Sequence, residues 1–185
     1  MNLLHKKNSF SITLASVLIE DTPVGPIIIH ASEQGLTGLH FSKKNAYQPG
    51  NQSSYQQRVQ SILARAQAQV REYFQGTRKD FDLPIDWAGF NLFQKQVLQA
   101  TTEIKFGQVR TYAQVAGSIH RPHASRAVGG ALSCNPVALV IPCHRVVGSD
   151  NGLHGFSAPG GIATKAWLLQ HEGIVVNPEY KLMVS

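Results

Sequence analysis

Apolar positions along the first third of the chain fall in short, strand-like groups. Ser11–Glu20 carries Ile12, Leu14, Val17 and Ile19, and Val24–Ala31 and Gly35–Ser42 follow as two more such stretches. Asp21-Thr22-Pro23, Gly25-Pro26 and Gly35 punctuate them, as turn residues do between antiparallel strands. The pattern then changes. Ala46–Ser54 is polar with Pro and Gly and reads as a loop, whereas Ser54–Phe74 places Val59, Ile62, Leu63, Ala66, Val70, Tyr73 and Phe74 on one helical stripe ended by Gly76. Phe81–Leu83 reads as a last strand before Pro84.

Beyond Trp87–Gly89 the period is mostly helical. Phe93, Val97, Leu98 and Ile104 predict a helix over Leu92–Lys105, stopped by Gly107. Thr111 is the expected N-cap of a short helix through Ala116. A turn at His120-Arg121-Pro122 leads to a second short helix over Ala124–Leu132. Two short helices joined in this way form a helix-turn-helix. Asn135-Pro136 breaks the second helix, and Val137–Ile141 reads as a buried extended run. A Gly-rich loop, Asn151–Gly161, precedes a final helix over Ala163–Glu172 that Gly173 closes. The expected fold is mixed α/β (α+β), with a sheet-plus-helix domain over 1–88 and a mostly helical domain over 89–185.

Composition narrows the class. With 43% hydrophobic and 15% charged residues in 185, the chain is an ordinary globular protein. No apolar run approaches the roughly 20 residues that span a bilayer. Met1–Ser9 has Lys6 and Lys7 but no apolar stretch of signal-peptide type behind them. Two cysteines, Cys134 and Cys143, make no disulfide framework, and a reduced cytoplasmic setting is expected. The net charge is +6, and no acidic residue occurs between Ile104 and Ser149. That stretch holds Lys105, Arg110, Arg121, Arg126 and Arg145 with His120, His123 and His144. It is either a chance gap or a surface facing phosphates.

Cys143 stands at the end of the apolar run, between Pro142 and His144-Arg145. Nearby cations with no acid favour the nucleophilic thiolate. Cys134 has no such setting and reads as structural. Three other uses of these residues stay open: a buried small hydrophobe, a metal ligand, and a cysteine hydrolase relay. The C-x8-C-H spacing matches no familiar zinc pattern, and a hydrolase has no need of a helix-turn-helix, which a sequence-reading transcription factor would also carry.

Five motifs in order over Phe93–Gly173 resemble the O6-alkylguanine-DNA alkyltransferases. Ile141-Pro142-Cys143-His144-Arg145-Val146-Val147 resembles the family's reactive motif. Phe106–Tyr112 resembles the segment ending in a functional Tyr, and Ser125–Ala131 the recognition helix. Asn135-Pro136 resembles the turn after it, and Lys165–Gly173 the last helix. The first 88 residues match in layout, a small sheet with one helix of ribonuclease H-like arrangement before a winged-helix-like domain. They contain no Cys, unlike the cysteine-rich zinc domain of adaptor-type members.

The resemblance implies a monomeric DNA repair protein with no cofactor and no metal. Its partner is duplex DNA containing O6-alkylguanine, with O4-alkylthymine as a second substrate. Cys143 matches the alkyl acceptor, His144 the base that takes its proton, and Glu172 the carboxylate that orients the imidazole. Tyr112 matches a phenol that bonds the extruded guanine. Asn135, Val146, Phe156 and Ser157 match the substrate pocket, with backbone carbonyls of Cys143 and Val146 accepting from the guanine 2-amino group. Arg126 matches the residue that enters the base stack from the minor groove, and Ser125, Ala127, Gly130 and Arg110 match its DNA-contacting neighbours. The Gly155–Gly161 loop is longer than the shortest loops of the family, and Phe156 stands where many members have Tyr.

Overall fold

Three β-rich stretches pair into one antiparallel sheet in the computed structural model, which describes residues 15–42 and 57–183. The strands are β1 (Ala15–Ile19), β2 (Ile27–Ala31) and β3 (Leu36–Phe41), in the order β1-β2-β3. Ala15, Ile19, Ile27, Ile29, Leu36 and Leu39 are buried. Helix α1 (Gln57–Phe74) packs its stripe of Val59, Ile62, Ala66, Val70 and Tyr73 against β1 and β2. Residues 11–14 of the expected first strand, the loop 46–54 and the first turn of the expected helix lie outside the described residues. Val24–Pro26 is a turn rather than strand, closed by Gly25 N–H donating to the Thr22 carbonyl at 3.0 Å.

Phe81–Leu83 is not a strand. Its hydrogen-bonding groups are taken by side chains of α1: Gln69 accepts from the Asp82 N–H at 2.9 Å, and Gln69 and Arg65 donate to its carbonyl at 3.1 and 2.8 Å. The chain pairs only after Pro84, through a parallel bridge between Leu36 and Ile85. Here Gly35 is required, because a Cβ on it would lie 2.6 Å from the Pro84 carbonyl oxygen.

In the second half, Asn91 and Gln94 form a capping box that starts α2 (Leu92–Thr102). Gly107, at φ +74°, turns the chain away below it. A second box, Thr111 with Gln114, joins the two-residue strand β4 (Arg110–Thr111) to α3 (Tyr112–Ser118), and α4 (Ser125–Ser133) packs across α3 and α2. The run Val137–Ile141 is not extended. It doubles back at Leu139, φ +67°, so that the Ile141 N–H reaches the Val137 carbonyl at 2.9 Å. The turn buries Val137, Leu139 and Ile141 together while Val137 pairs with Leu39 of β3.

A single 3-10 turn, Cys143–Arg145, follows, then β5 (Val146–Val147), parallel to β4. Helix α5 (Ile162–His171) ends one residue before Glu172, which caps it. One continuous apolar core runs from Ala15 through Leu39, Leu98, Val115 and Ile141 to Leu168. The sheet and the helices after it are therefore held as one packed body.

Candidate active site

The 3-10 turn sends consecutive side chains to different places. Cys143 is half-buried at a cavity wall, while His144 and Arg145 turn into the interior. There they meet Glu172, whose side chain is wholly buried. His144 Nε2 lies 2.8 Å from Glu172 Oε1. Arg145 forks onto both oxygens, Nε to Oε2 and Nη2 to Oε1, each at 2.9 Å. The Gly107 N–H donates to Oε2 at 3.2 Å and the Tyr73 hydroxyl to Oε1 at 2.9 Å. Burial alone would raise the Glu172 carboxyl, but the hydrogen bonds and charges of His144 and Arg145 overcome it and bring it down to about 2.

An ionised carboxylate on Nε2 fixes the proton of a neutral imidazole at that nitrogen and leaves Nδ1 as an acceptor. His144 Nδ1 is buried and has no hydrogen-bond partner among the described residues. Burial pushes the imidazole below its ordinary value, Glu172 pulls it back up, and Arg145 and Lys165 oppose that pull. At neutral pH His144 is therefore a neutral base with one free lone pair.

The thiol environment differs from the sequence expectation. Burial pushes Cys143 up, and His144 and Arg145 do not offset it, since one is neutral and the other is committed to Glu172. The groups that favour the thiolate are the Asn135 amide, donating to Sγ at 3.2 Å, the charge of Lys165, and the backbone N–H groups of Cys143 and His144. Lys165 is 1% exposed, and its ammonium donates to the carbonyls of Val146 at 2.6 Å and His154 at 3.0 Å. Burial brings it down to about 8, with the Cys143 charge working to raise it. It also lies 6.0 Å from the centroid of the Tyr112 ring. Tyr112 is pushed up by burial and by Cys143, so its phenol stays protonated and can donate.

A cavity of about 520 Å³ opens over Cys143 and is lined by Tyr112, Asn135, Phe156 and Ser157 among others. Val146 is not among its lining residues; it is fully buried and its carbonyl holds Lys165. Cys134, expected to be structural, is exposed and lines the same cavity. Beside it, Arg126 projects from α4 over a shallow groove shared with Tyr112, Ser125 and Gly129. Ala127 and Gly130 are exposed on α4, and Arg110 is half-buried on β4. The acid-free stretch is not one phosphate-facing surface. Arg145 is buried on Glu172, and Arg121 sits over the Phe93 ring at 5.7 Å. Among the described residues no cluster of three or more His, Cys, Asp or Glu is placed to hold a metal ion.

Two family models divide the chain between them. The one described as the 6-O-methylguanine DNA methyltransferase DNA binding domain matches residues 92–174. The one described as its ribonuclease-like domain matches residues 14–87. The chain belongs to the 6-O-methylguanine DNA methyltransferase family. Among relatives, the methylated-DNA–protein-cysteine methyltransferase of Methanosarcina barkeri is 40% identical over 156 residues, 83% of this chain and 94% of the relative. The constitutive one of Bacillus subtilis is 37% identical over 161 residues, 83% of this chain and 93% of its own. Among solved structures, Mycobacterium tuberculosis O6-methylguanine methyltransferase matches with a TM-score of 0.70 at 32% identity, covering 86% of this chain and 92% of its own. The same organism's OGT in complex with DNA matches at 0.71 and 32%, covering 85% and 92%.

In this methyltransferase fold two buried polar residues at the site were not singled out from the sequence. Lys165 had a signal: it is a lone cation among Ala166, Leu168 and Leu169 on a helix that must bury its apolar face. Tyr73 had none, since it ends an apolar stripe in which an aromatic residue is ordinary.

Proposed function

We propose that the protein reverses DNA damage directly, moving an alkyl group, chiefly methyl, from O6 of guanine onto Cys143. The observation that carries this reading is a single turn of chain, Cys143–Arg145, that puts a thiol at a cavity wall and, behind it, an imidazole whose remaining nitrogen is free. His144 Nδ1 accepts the Cys143 proton, directly or through one water, and Glu172 stabilises the imidazolium that forms. The thiolate attacks the methyl carbon in line. The new S–C bond takes its electron pair from sulfur, and the breaking C–O6 bond returns its pair to the purine. The protonated Tyr112 phenol donates to that leaving base. The product thioether has no leaving group that water can displace, so each molecule acts once.

The target atom lies inside the duplex, so the base is extruded at a cost of a few kcal/mol. Arg126, exposed beside the cavity among small residues of α4, fills the vacated stack. Ser125, Ala127, Gly130 and Arg110 support that contact, and Asn135, Phe156 and Ser157 frame the base. O4-alkylthymine fits the same displacement. The protein acts as a monomer in the cytoplasm, with 1–88 and 89–185 as its two domains.

Cys143→Ser and Cys134→Ser test the assignment. With O6-methylguanine duplex, Cys143→Ser binds and transfers nothing, because a hydroxyl is a far weaker nucleophile at neutral pH. Cys134→Ser transfers at nearly the native rate. Transfer by Cys143→Ser, or its loss in Cys134→Ser, contradicts the reading.

A further inference from the structure

Glu172 accepts from one residue that the chemistry above leaves unused. Tyr73, on the last turn of α1, donates its hydroxyl to Glu172 Oε1 at 2.9 Å across 99 residues of sequence. It is fully buried. Its backbone carbonyl accepts from His171 Nε2 at 2.7 Å. One residue of the sheet-bearing half thus holds both His171 and Glu172, where α5 ends. Phe74, Phe81, Phe106 and His171 surround the ring with centroids 5.0–6.3 Å away, which leaves the hydroxyl no route to water.

We propose that Tyr73 is a positioning residue for alkyl transfer, whose hydroxyl shares the negative charge of Glu172 and so sets how strongly that carboxylate pulls on the Nε2 proton of His144. The proposal rests on the Cys143–His144–Glu172 relay read above. The groups facing the carboxylate are His144 and Arg145 from the 3-10 turn, Gly107 N–H from the loop before β4, and Tyr73 from α1. Lys165 of α5 acts on His144 and Cys143, Tyr112 faces Cys143, His171 packs on Tyr73, and Lys79 lies over the Phe106 ring. The Arg145 fork already fixes the plane of the carboxylate. The hydroxyl therefore contributes charge withdrawal more than orientation.

A carboxylate that loses a hydrogen-bond donor becomes more basic. It then pulls harder on Nε2–H, and Nδ1 becomes a stronger base. A larger share of the pair is then thiolate and imidazolium at neutral pH, and the apparent midpoint of thiol ionisation falls. A thiolate of lower proton affinity is also a weaker nucleophile, so the plateau rate falls.

The test uses the full chain carrying Cys134→Ser, which leaves one thiol. Iodoacetamide alkylation of Cys143 and single-turnover methyl transfer are followed against pH, with DNA affinity and thermal melting measured alongside. Tyr73→Phe lowers the pH of the inflection by roughly half a unit and the plateau transfer rate by about 1.7-fold, with DNA affinity unchanged. Placing 3-fluorotyrosine at 73, a stronger donor of nearly the same shape, moves the inflection upward and decides the matter alone if the Phe variant melts early. Glu172→Gln moves it upward as well. An inflection unmoved in Glu172→Gln overturns the relay and this proposal with it. If Glu172→Gln shifts it while both Tyr73 variants leave it in place, Tyr73 only packs, and the proposal alone fails.

Discussion

After the Asn135 hydrogen bond, the charge of Lys165 favours ionisation of the half-buried Cys143, whereas the side chains of its sequence neighbours do not. Lys165 is charged below about 8 in the folded chain and below 10.5 as an ordinary lysine. While charged it opposes the burial that raises the thiol. As pH passes about 8 it loses its proton and that support lapses. Transfer on saturating duplex therefore climbs less steeply above about pH 8 than a lone thiol ionisation would give. Lys165→Met removes that flattening, moves thiol ionisation to higher pH, and slows transfer at pH 7.5 by about threefold for each unit of that shift, the roughly tenfold loss of thiolate being partly offset by its greater nucleophilicity. The same lowered value means that the buried charge costs stability below pH 8, a cost relieved between 8 and 10.5. Lys165→Met thus melts no earlier than the native protein at pH 7. Single-turnover rates from pH 6 to 10 check this, and identical alkaline limbs in the two proteins would contradict it.

At the scale of elements, α4 presents Arg126 in an exposed row with Ala127 and Gly130, while Val128, Ala131 and Leu132 pack inward. A long side chain amid small ones can reach into a narrow groove. Arg126→Ala therefore slows repair of duplex DNA by an amount on the order of the unstacking cost, a few kcal/mol. It loses far less on free O6-benzylguanine, where nothing is extruded, and a mismatch opposite the lesion partly rescues it. Arg110→Ala, a plain charge contact, weakens binding and lowers the salt slope by about one. Equal slowing of Arg126→Ala on duplex and free base would show a phosphate contact instead. Elements of this kind were legible in the sequence because their signals are local. Thr111 caps α3 as its spacing from Gln114 allows, and the Pro-containing turn at Arg121-Pro122 separates the two helices. The Val137–Ile141 turn was not legible. Its apolar run looks extended, and the positive φ at Leu139 is set by packing against β3, which lies far away in the chain. Phe81–Leu83 looks like a strand in the sequence for a related reason: its backbone partners are side chains of α1.

Over the whole molecule the least legible feature is the buried cluster around Glu172. His144 and Arg145 are 28 and 27 residues away from it in sequence, and Tyr73 is 99. The motifs marked Cys143, His144 and Glu172, but nothing in the spacing says that an arginine beside the thiol serves the carboxylate instead. That follows only once the continuous core closes the sheet and α1 over the end of α5. One thiol, Cys143, has the base behind it, and the thioether it forms has no leaving group that water can displace, so the stoichiometry is fixed at one. Intact mass measured after incubation with excess O6-methylguanine duplex tests this most directly. A single methyl is added per chain, on Cys143, and repair stops at one lesion per molecule. Continued turnover on an unmodified chain, or a methyl found on any other residue, would contradict it.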